Sequence, residues 1–422
     1  MAKIIIEGGN KLSGSVKVGG AKNAALPIMA GAILSEGPVV LSNIPHLNDV
    51  ETMEKVLSAL GITCKKLGPG TIELSSHSGI SEEAPYELVK TMRASFFVMG
   101  PLLGRLKKAR IPLPGGCAIG VRPVDIHLKG FEMLGARVSL DAGCAVATAD
   151  KLVGAPIMLD FPSVGATENL MMAAVYAEGT TVINNAAREP EIVDLGNFLN
   201  SMGAKVSGAG TPSVTIEGVK SLTGTNYSII SDRIEAGTFL ALGSLFEGPI
   251  SVENCNPDSL HAVTAKLQEM GTDLKIEDSK IIVRGPTRIK PIEIKTLPFP
   301  GFPTDLQAQF TAALCLSEGA SLITETVFEN RFMHVSELIR MGAKLNIRDR
   351  TVVINGVDKL IGAPVMATDL RAGAAMVIAG LVAEGITEIG NVHHIDRGYD
   401  NFVDRLKGLG AKITRQEQDN HA

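Results

Sequence analysis

Residues Pro112 to His127, reading PLPGGCAIGVRPVDIH, place one cysteine in a loop framed by proline and glycine, with Arg122, Asp125 and His127 within the next ten positions. Thiol chemistry needs access and a tunable electrostatic surrounding, and the glycines on both sides of Cys117 give the backbone the freedom to provide them. The composition suits a nucleophile or a proton donor. A lone cysteine is also often an inert small hydrophobe, so the loop by itself leaves both readings open.

A second set of candidates comes from how helices begin. GGAKNAAL, KTMRASFF, SDRIEAGT, FPTDLQAQ and TDLRAGAA each put polar or charged residues at the start of an apolar helix. Lys22, Arg93, Arg233 and Arg371 stand at such starts, where a cation opposes the helix dipole. Repeated use of an unfavourable choice points to an anionic ligand held by free N–H groups and cations together. Ordinary solvated charge is the alternative. Likewise, Asp305 beside Thr304 reads as a helix cap or as an acid–base group, His127 as an amphipathic helix residue or as a ligand contact, and Arg331 and Arg397 as surface charge or as anion contacts. His393 and His394 have no metal-ligand partners at a suitable spacing, so no metal is expected.

The elements that carry these residues repeat. LGITCKK, LGARVSL, MGAKVSG, MGTDLKI, MGAKLNI and LGAKITR centre on Gly61, Gly135, Gly203, Gly271, Gly342 and Gly410, spaced 74, 68, 68, 71 and 68 residues apart. A second phrase, SEG, AEG or FEG, closes an apolar helix at Gly37, Gly179, Gly248, Gly319 and Gly385. Six units of about 70 residues follow, each predicted as helix, short strand, helix and two strands, with glycine capping each helix in a left-handed conformation. ATENLMMAAVYAEG is apolar nearly all round and is predicted to be buried, whereas EPEIVDLGNFLNSMGA is amphipathic. The sixth unit lacks its closing strand, and IEGGNKLSG at Ile6 matches the unit ends IEGVKSLTG and INGVDKLIG, so the N-terminal strand is predicted to complete it. The expected fold class is α/β, with residues 22–229 as one domain and residues 1–21 plus 230–422 as a discontinuous second one.

Composition bounds the function. With 422 residues, 45% apolar, 20% charged, 4% aromatic and no tryptophan, the chain predicts compact cores of small aliphatic residues and few stacking platforms for nucleic-acid bases. A net charge of −5 argues against a general polyanion binder. Cysteines 64, 117, 144, 255 and 315 form no CxxC pair, so neither zinc nor disulfides are expected. The start MAKIIIEGG has no basic-then-apolar pattern, and a cytoplasmic protein with no membrane or nucleic-acid partner is expected.

GGAKNAALP at Gly19, PLPGGCAIGVRPVDIHL at Pro112, LDFPSVGATENLMMAA at Leu159, GFPTDLQAQF at Gly301, ENRFMHVSELIRMGA at Glu329 and HIDRGYDNF at His394 together resemble the UDP-N-acetylglucosamine 1-carboxyvinyltransferase (MurA) family from end to end. The resemblance implies a two-domain inside-out α/β barrel of six repeated units. It also implies transfer of the enolpyruvyl group of phosphoenolpyruvate to the 3′-hydroxyl of UDP-N-acetylglucosamine with release of phosphate, the first committed step of peptidoglycan synthesis. No cofactor is implied, and protein partners are not specified. By resemblance, Cys117 is the acid at C3 of phosphoenolpyruvate, can hold it as a covalent adduct, and is the residue that the epoxide fosfomycin modifies. Asp305 takes the hydroxyl proton. Lys22, Arg122 and Arg397 surround the donor's phosphate and carboxylate, with Arg331 and Arg371 nearby. Asn23, Arg93, Arg122, Pro123, Val124, Asp125, His127, Val164, Gly165 and Val327 match nucleotide-sugar contacts. A lysine that some members carry before SVGAT is absent, and Phe161 and Pro162 stand there. Alternatives are a 3-phosphoshikimate 1-carboxyvinyltransferase, disfavoured by GGAKNAALP and GGCAIG, and a catalytically silent nucleotide-sugar-binding paralogue. Because the matched residues divide between the two domains, closure of one on the other around the sugar is the expected way to complete the site.

Overall fold

The computed structural model describes residues 2–76, 79–90, 92–113 and 124–417. They form two compact units, one of residues 2–19 and 231–417, the other of residues 20–113 and 124–230. Each unit has its own core of Ala, Val, Ile, Leu and Met side chains.

Six small sheets form among the described residues, and five of them share one order. In the sheet Pro156–Met158, Thr180–Asn184, Ser213–Glu217, Lys205–Ser207, the first pair is parallel and the other two are antiparallel. The sheet built on Lys108–Pro112, Cys144–Thr148 and Arg137–Asp141 has three strands, and a single parallel bridge from Glu83 to Arg110 stands where the others have an edge strand. Ala2–Glu7 lies between Ile386–Gly390 and Lys412–Glu417 and pairs with both, which closes the sixth sheet with the N-terminal strand. The short parallel edge strands, Gly14–Lys17, Pro156–Met158, Thr225–Ser228, Glu293–Lys295 and Pro364–Met366, were not expected from the sequence. Strands of three or four residues are too short to show a period.

The repeat glycines behave as local chemistry requires. Gly61, Gly135, Gly203, Gly271, Gly342 and Gly410 have φ between 89° and 103°, a region that side chains with a Cβ rarely enter. Gly37 and Gly248 differ from the expectation of a left-handed cap, since neither has a positive φ. Glycine is required there by neighbouring backbone, because a Cβ would lie 2.9 Å from the Gly224 nitrogen at Gly37 and 2.4 Å from the Leu12 carbonyl oxygen at Gly248.

The helices that are apolar all round are the buried ones. Gln307–Leu314 is buried along its whole length and packs on Leu370–Val382 and Arg233–Gly243. In the other unit Val164–Ala174 packs on Met99–Leu106, which continues from a 3₁₀ turn over Arg93–Val98. Such helices need no polar face because neighbouring helices and a sheet cover every side. Among the described residues, no helix is long and apolar enough to cross a membrane.

Glu168 breaks this apolar rule. It is fully buried on Val164–Ala174, and neither of its oxygens has a hydrogen-bond partner among the described residues. Burial, then Glu191 and Glu189, raise its carboxyl well above the ordinary range. The folded chain therefore binds a proton that the unfolded chain gives up, and stability falls as pH rises above about 4.3. Glu168→Gln should melt higher than the parent at about pH 8 and level with it at about pH 4. Thermal melts at both values check this, and a Gln variant no more stable than the parent at the higher pH refutes it.

Candidate active site

In the unit of residues 2–19 and 231–417, three sequence candidates converge. Asp305 sits in the 3₁₀ turn Thr304–Leu306 that opens into the buried helix Gln307–Leu314. Its side chain caps no helix among the described residues. Instead, Oδ1 accepts from Arg331 Nη2 at 2.8 Å and Oδ2 from Arg371 Nη2 at 2.8 Å. Both arginines are buried, with 5% and 4% of their surface exposed, so they are not surface charge. Burial by itself would raise the Asp305 carboxyl, but Arg371 and Arg331 outweigh it and hold the group well below the usual carboxylate range. Arg371 follows Asp369, whose carboxylate caps Leu370–Val382 by accepting from the Arg371 and Ala372 N–H groups. A helix N-terminus that carries a buried cation is here offset by two carboxylates, Asp369 at the cap and Asp305 at the guanidinium.

Glu325 holds this cluster in shape, and sequence reasoning missed it. Fully buried, it accepts from Thr296 and Thr304 hydroxyls at 2.7 Å each and from the Val327 and Phe328 N–H groups at 2.8 and 3.2 Å. Thr304 in turn accepts from Arg331 Nη1 at 2.9 Å, so the candidate Val327 is tied through one carboxylate to the Asp305 turn. His334 is buried beside Arg331, and burial lowers its imidazole to about 4. Arg397 ends the 3₁₀ segment Val392–Arg397, and burial, His393, Arg397 and Asp369 all act on His394.

The other unit brings together a different group. Lys22 begins the Lys22–Gly31 helix, is 8% exposed, and lies 3.2 Å from Asp49 Oδ2, with Asn23 following it. That helix packs on the turn that starts at Arg93. His127 lies on Asp125–Met133, edge-on to Phe96 with ring centroids 5.3 Å apart. Burial and the nearby Arg93 push its imidazole down to about 3, so it is neutral. Asn169 Oδ1 accepts from the Gly100 N–H at 2.8 Å, which turns its Nδ2 toward His127 Nδ1 at 3.0 Å. Nδ1 is then the acceptor, and the ring proton sits on Nε2. Gly165 abuts the same ring, since a Cβ there would lie 3.4 Å from its Cε1. Val164 opens the helix that Ser163 caps through the Ala166 N–H. Asp125 is exposed in the first turn of its helix, and Val124 precedes it half-buried. His127, Arg93, Val164 and Gly165 are thus neighbours, as are Lys22 and Asn23. Cys117, Arg122 and Pro123 lie outside the described residues.

The sheets and helices have solved counterparts. The enolpyruvyl transferase NikO from Streptomyces tendae matches with a TM-score of 0.89, 26% identity and 98% of both chains covered. EPSP synthase from Acinetobacter baumannii matches with a TM-score of 0.75 and 18% identity over 99% of this chain and 100% of that one, a likeness of fold alone. Residues 6–406 match the family described as EPSP synthase (3-phosphoshikimate 1-carboxyvinyltransferase). The fold is therefore that of the enolpyruvyl transferases. The chain is 58% identical over 418 residues to UDP-N-acetylglucosamine 1-carboxyvinyltransferase 2 of Carboxydothermus hydrogenoformans, which covers 98% of this chain and 99% of the relative. It is 54% identical over 414 residues to UDP-N-acetylglucosamine 1-carboxyvinyltransferase 1 of Caldanaerobacter subterraneus subsp. tengcongensis, at 98% and 99% coverage. The chain belongs to the UDP-N-acetylglucosamine 1-carboxyvinyltransferase family.

Proposed function

We propose that this chain transfers the enolpyruvyl group of phosphoenolpyruvate to the 3′-hydroxyl of UDP-N-acetylglucosamine and releases phosphate, an early step of cell-wall synthesis in the cytoplasm. The observation that carries this is identity of 54–58% over nearly the whole of relatives so named, against 18% to the EPSP synthase of similar fold. Among the described residues, six small sheets, three in each unit, and six left-handed repeat glycines support an inside-out barrel of six repeats.

In this reading Cys117 delivers a proton to C3 of the donor while the sugar oxygen bonds to C2, and loss of that proton and of phosphate then restores the double bond. Asp305 accepts the hydroxyl proton. A carboxylate held low by two guanidiniums has little affinity for a proton on a resting alcohol, so transfer is favoured only as the new C–O bond forms and the hydroxyl becomes acidic. Lys22, Arg122 and Arg397 hold the donor's anionic groups, with Arg331 and Arg371 nearby on the Asp305 carboxylate. Asn23, Arg93, Pro123, Val124, Asp125, His127, Val164, Gly165 and Val327 contact the nucleotide sugar, with neutral His127 offering an Nε2–H donor. No cofactor or metal enters these steps.

Phosphate release from phosphoenolpyruvate, measured in parallel with UDP-N-acetylglucosamine and with shikimate 3-phosphate, tests the assignment. Release is expected with the nucleotide sugar alone. Release only with shikimate 3-phosphate would transfer the chain to the other activity.

A further inference from the structure

One oxygen in the unit of residues 2–19 and 231–417 is bonded to side chains from three helices. Tyr399 Oη lies 3.3 Å from Arg371 Nη1 on Leu370–Val382, 3.2 Å from Gln309 Nε2 on Gln307–Leu314, and 2.9 Å from Thr238 Oγ1 on Arg233–Gly243. All four residues are buried, and the Tyr399 ring is fixed by stacking on Phe402 at 4.7 Å between centroids.

The protons in this network have one consistent arrangement. Arg371 and Gln309 can only donate through these nitrogens, so they occupy the two lone pairs of the phenol oxygen. The Tyr399 proton must then go to Thr238 Oγ1, whose own hydrogen is donated to the Ile234 carbonyl at 2.8 Å. Gln309 Nε2 has two hydrogens for three acceptors, so one goes to the Asp305 carbonyl at 3.0 Å and the other is shared between Tyr399 Oη and Thr238 Oγ1 at 3.1 Å. Burial raises the phenol above its ordinary value, although Arg371, Thr238 and Gln309 oppose it, so the hydroxyl keeps its proton and the network keeps its direction.

The consequence falls on Arg371. Its Nη2 holds Asp305 while its Nη1 is held by Tyr399, so two bonds at opposite corners set the plane of the guanidinium. We propose that Tyr399, backed by Thr238 and Gln309, is a positioning residue that orients Arg371 against the Asp305 carboxylate and thereby sets the basicity of Asp305 for proton abstraction. The proposal rests on the function argued above for its kinetic consequences only, since the orientation itself exists without substrate.

Tyr399→Phe removes the oxygen and keeps the ring. Loss of a hydrogen bond to a charged group predicts a fall in kcat/KM for phosphoenolpyruvate of about ten- to a hundredfold, with UDP-N-acetylglucosamine binding changed less than about twofold. Asp305 then loses part of its cation, its pKa moves up toward the ordinary value, and the acid limb of the kcat/KM profile moves to higher pH. Thr238→Val should act in the same direction, and the double variant should lose less than the product of the two single losses. A carbon-13 titration of the Asp305 carboxyl in the ligand-free protein reads the shift without turnover. If wild type releases no phosphate with UDP-N-acetylglucosamine, the functional reading falls while the titration still decides the positioning. If the Asp305 titration and the acid limb are unmoved in Tyr399→Phe, even with a lowered melting temperature, Tyr399 is a packing residue and the proposal is overturned.

Discussion

Cys117→Ser should turn over about 10²- to 10⁴-fold more slowly than wild type, the range lost with a proton-transfer group, while UDP-N-acetylglucosamine binds as before. Serine keeps the size and a hydroxyl but replaces a thiol with a far weaker acid. Steady-state phosphate release and a binding isotherm measure the two quantities, and a serine variant within about twofold of wild type would remove Cys117 from the proton path. The same residue should be the one modified by fosfomycin. Thiolates, not thiols, open epoxides, and the competing cysteines are poor sources of thiolate. Burial raises Cys64 and Cys255, and pushes Cys315 up to about 12. Cys144 is buried. Peptide mapping should therefore place a single adduct on Cys117. Adducts on any of the other four at equal rate would show that the loop confers no special reactivity.

Asp305→Asn is expected to have a comparable effect on turnover, about 10²- to 10⁴-fold, together with a change in stability that Cys117→Ser should not show. The amide keeps the shape but removes the counter-charge of two buried arginines, and breaking a buried pair from one side costs about 3–5 kcal/mol. The sign with pH follows from the depressed carboxyl. Its folded pKa lies below the unfolded value, so its contribution is complete above about pH 3.9 and is lost as pH falls through the folded value. Denaturant melts should thus show the Asn variant less stable than wild type near neutrality and the gap narrowing in acid. Normal turnover in the Asn variant would exclude Asp305 as the base. A gap that is constant with pH would mean that the arginine pairs are not what stabilises it.

Much of the site was legible one residue at a time. Asp305, Arg331 and Arg371 stood out in GFPTDLQAQF, ENRFMHVSEL and TDLRAGAA, but that they meet was not legible, since Arg371 is 66 residues beyond Asp305 and reaches it from another repeat. Tyr399, Thr238, Gln309 and Glu325 were missed altogether. Each is a common residue type in an unremarkable setting, and its importance lies in partners on other helices. The one available signal was that Thr238 and Gln309 are polar residues inside stretches otherwise apolar enough to be buried, and a buried polar group must find a partner.

The sequence by itself determined the spacing of the recurring glycines, their left-handed conformation after each amphipathic helix, and which helices would be buried. These are properties of one segment at a time, because φ at a glycine and the polarity of a helix surface depend on residues a few positions apart. Tertiary structure decided the rest. Gly248 is required by a carbonyl from Leu12, not by its own backbone angle. The edge strands of three residues exist only because a neighbouring strand offers them hydrogen bonds. The state of Asp305, which burial alone would push up, is reversed by two guanidiniums at 2.8 Å, Arg331 from its own repeat and Arg371 from the next. Coulombic energy depends on distance through space, and distance through space is what a linear chain does not display before it folds.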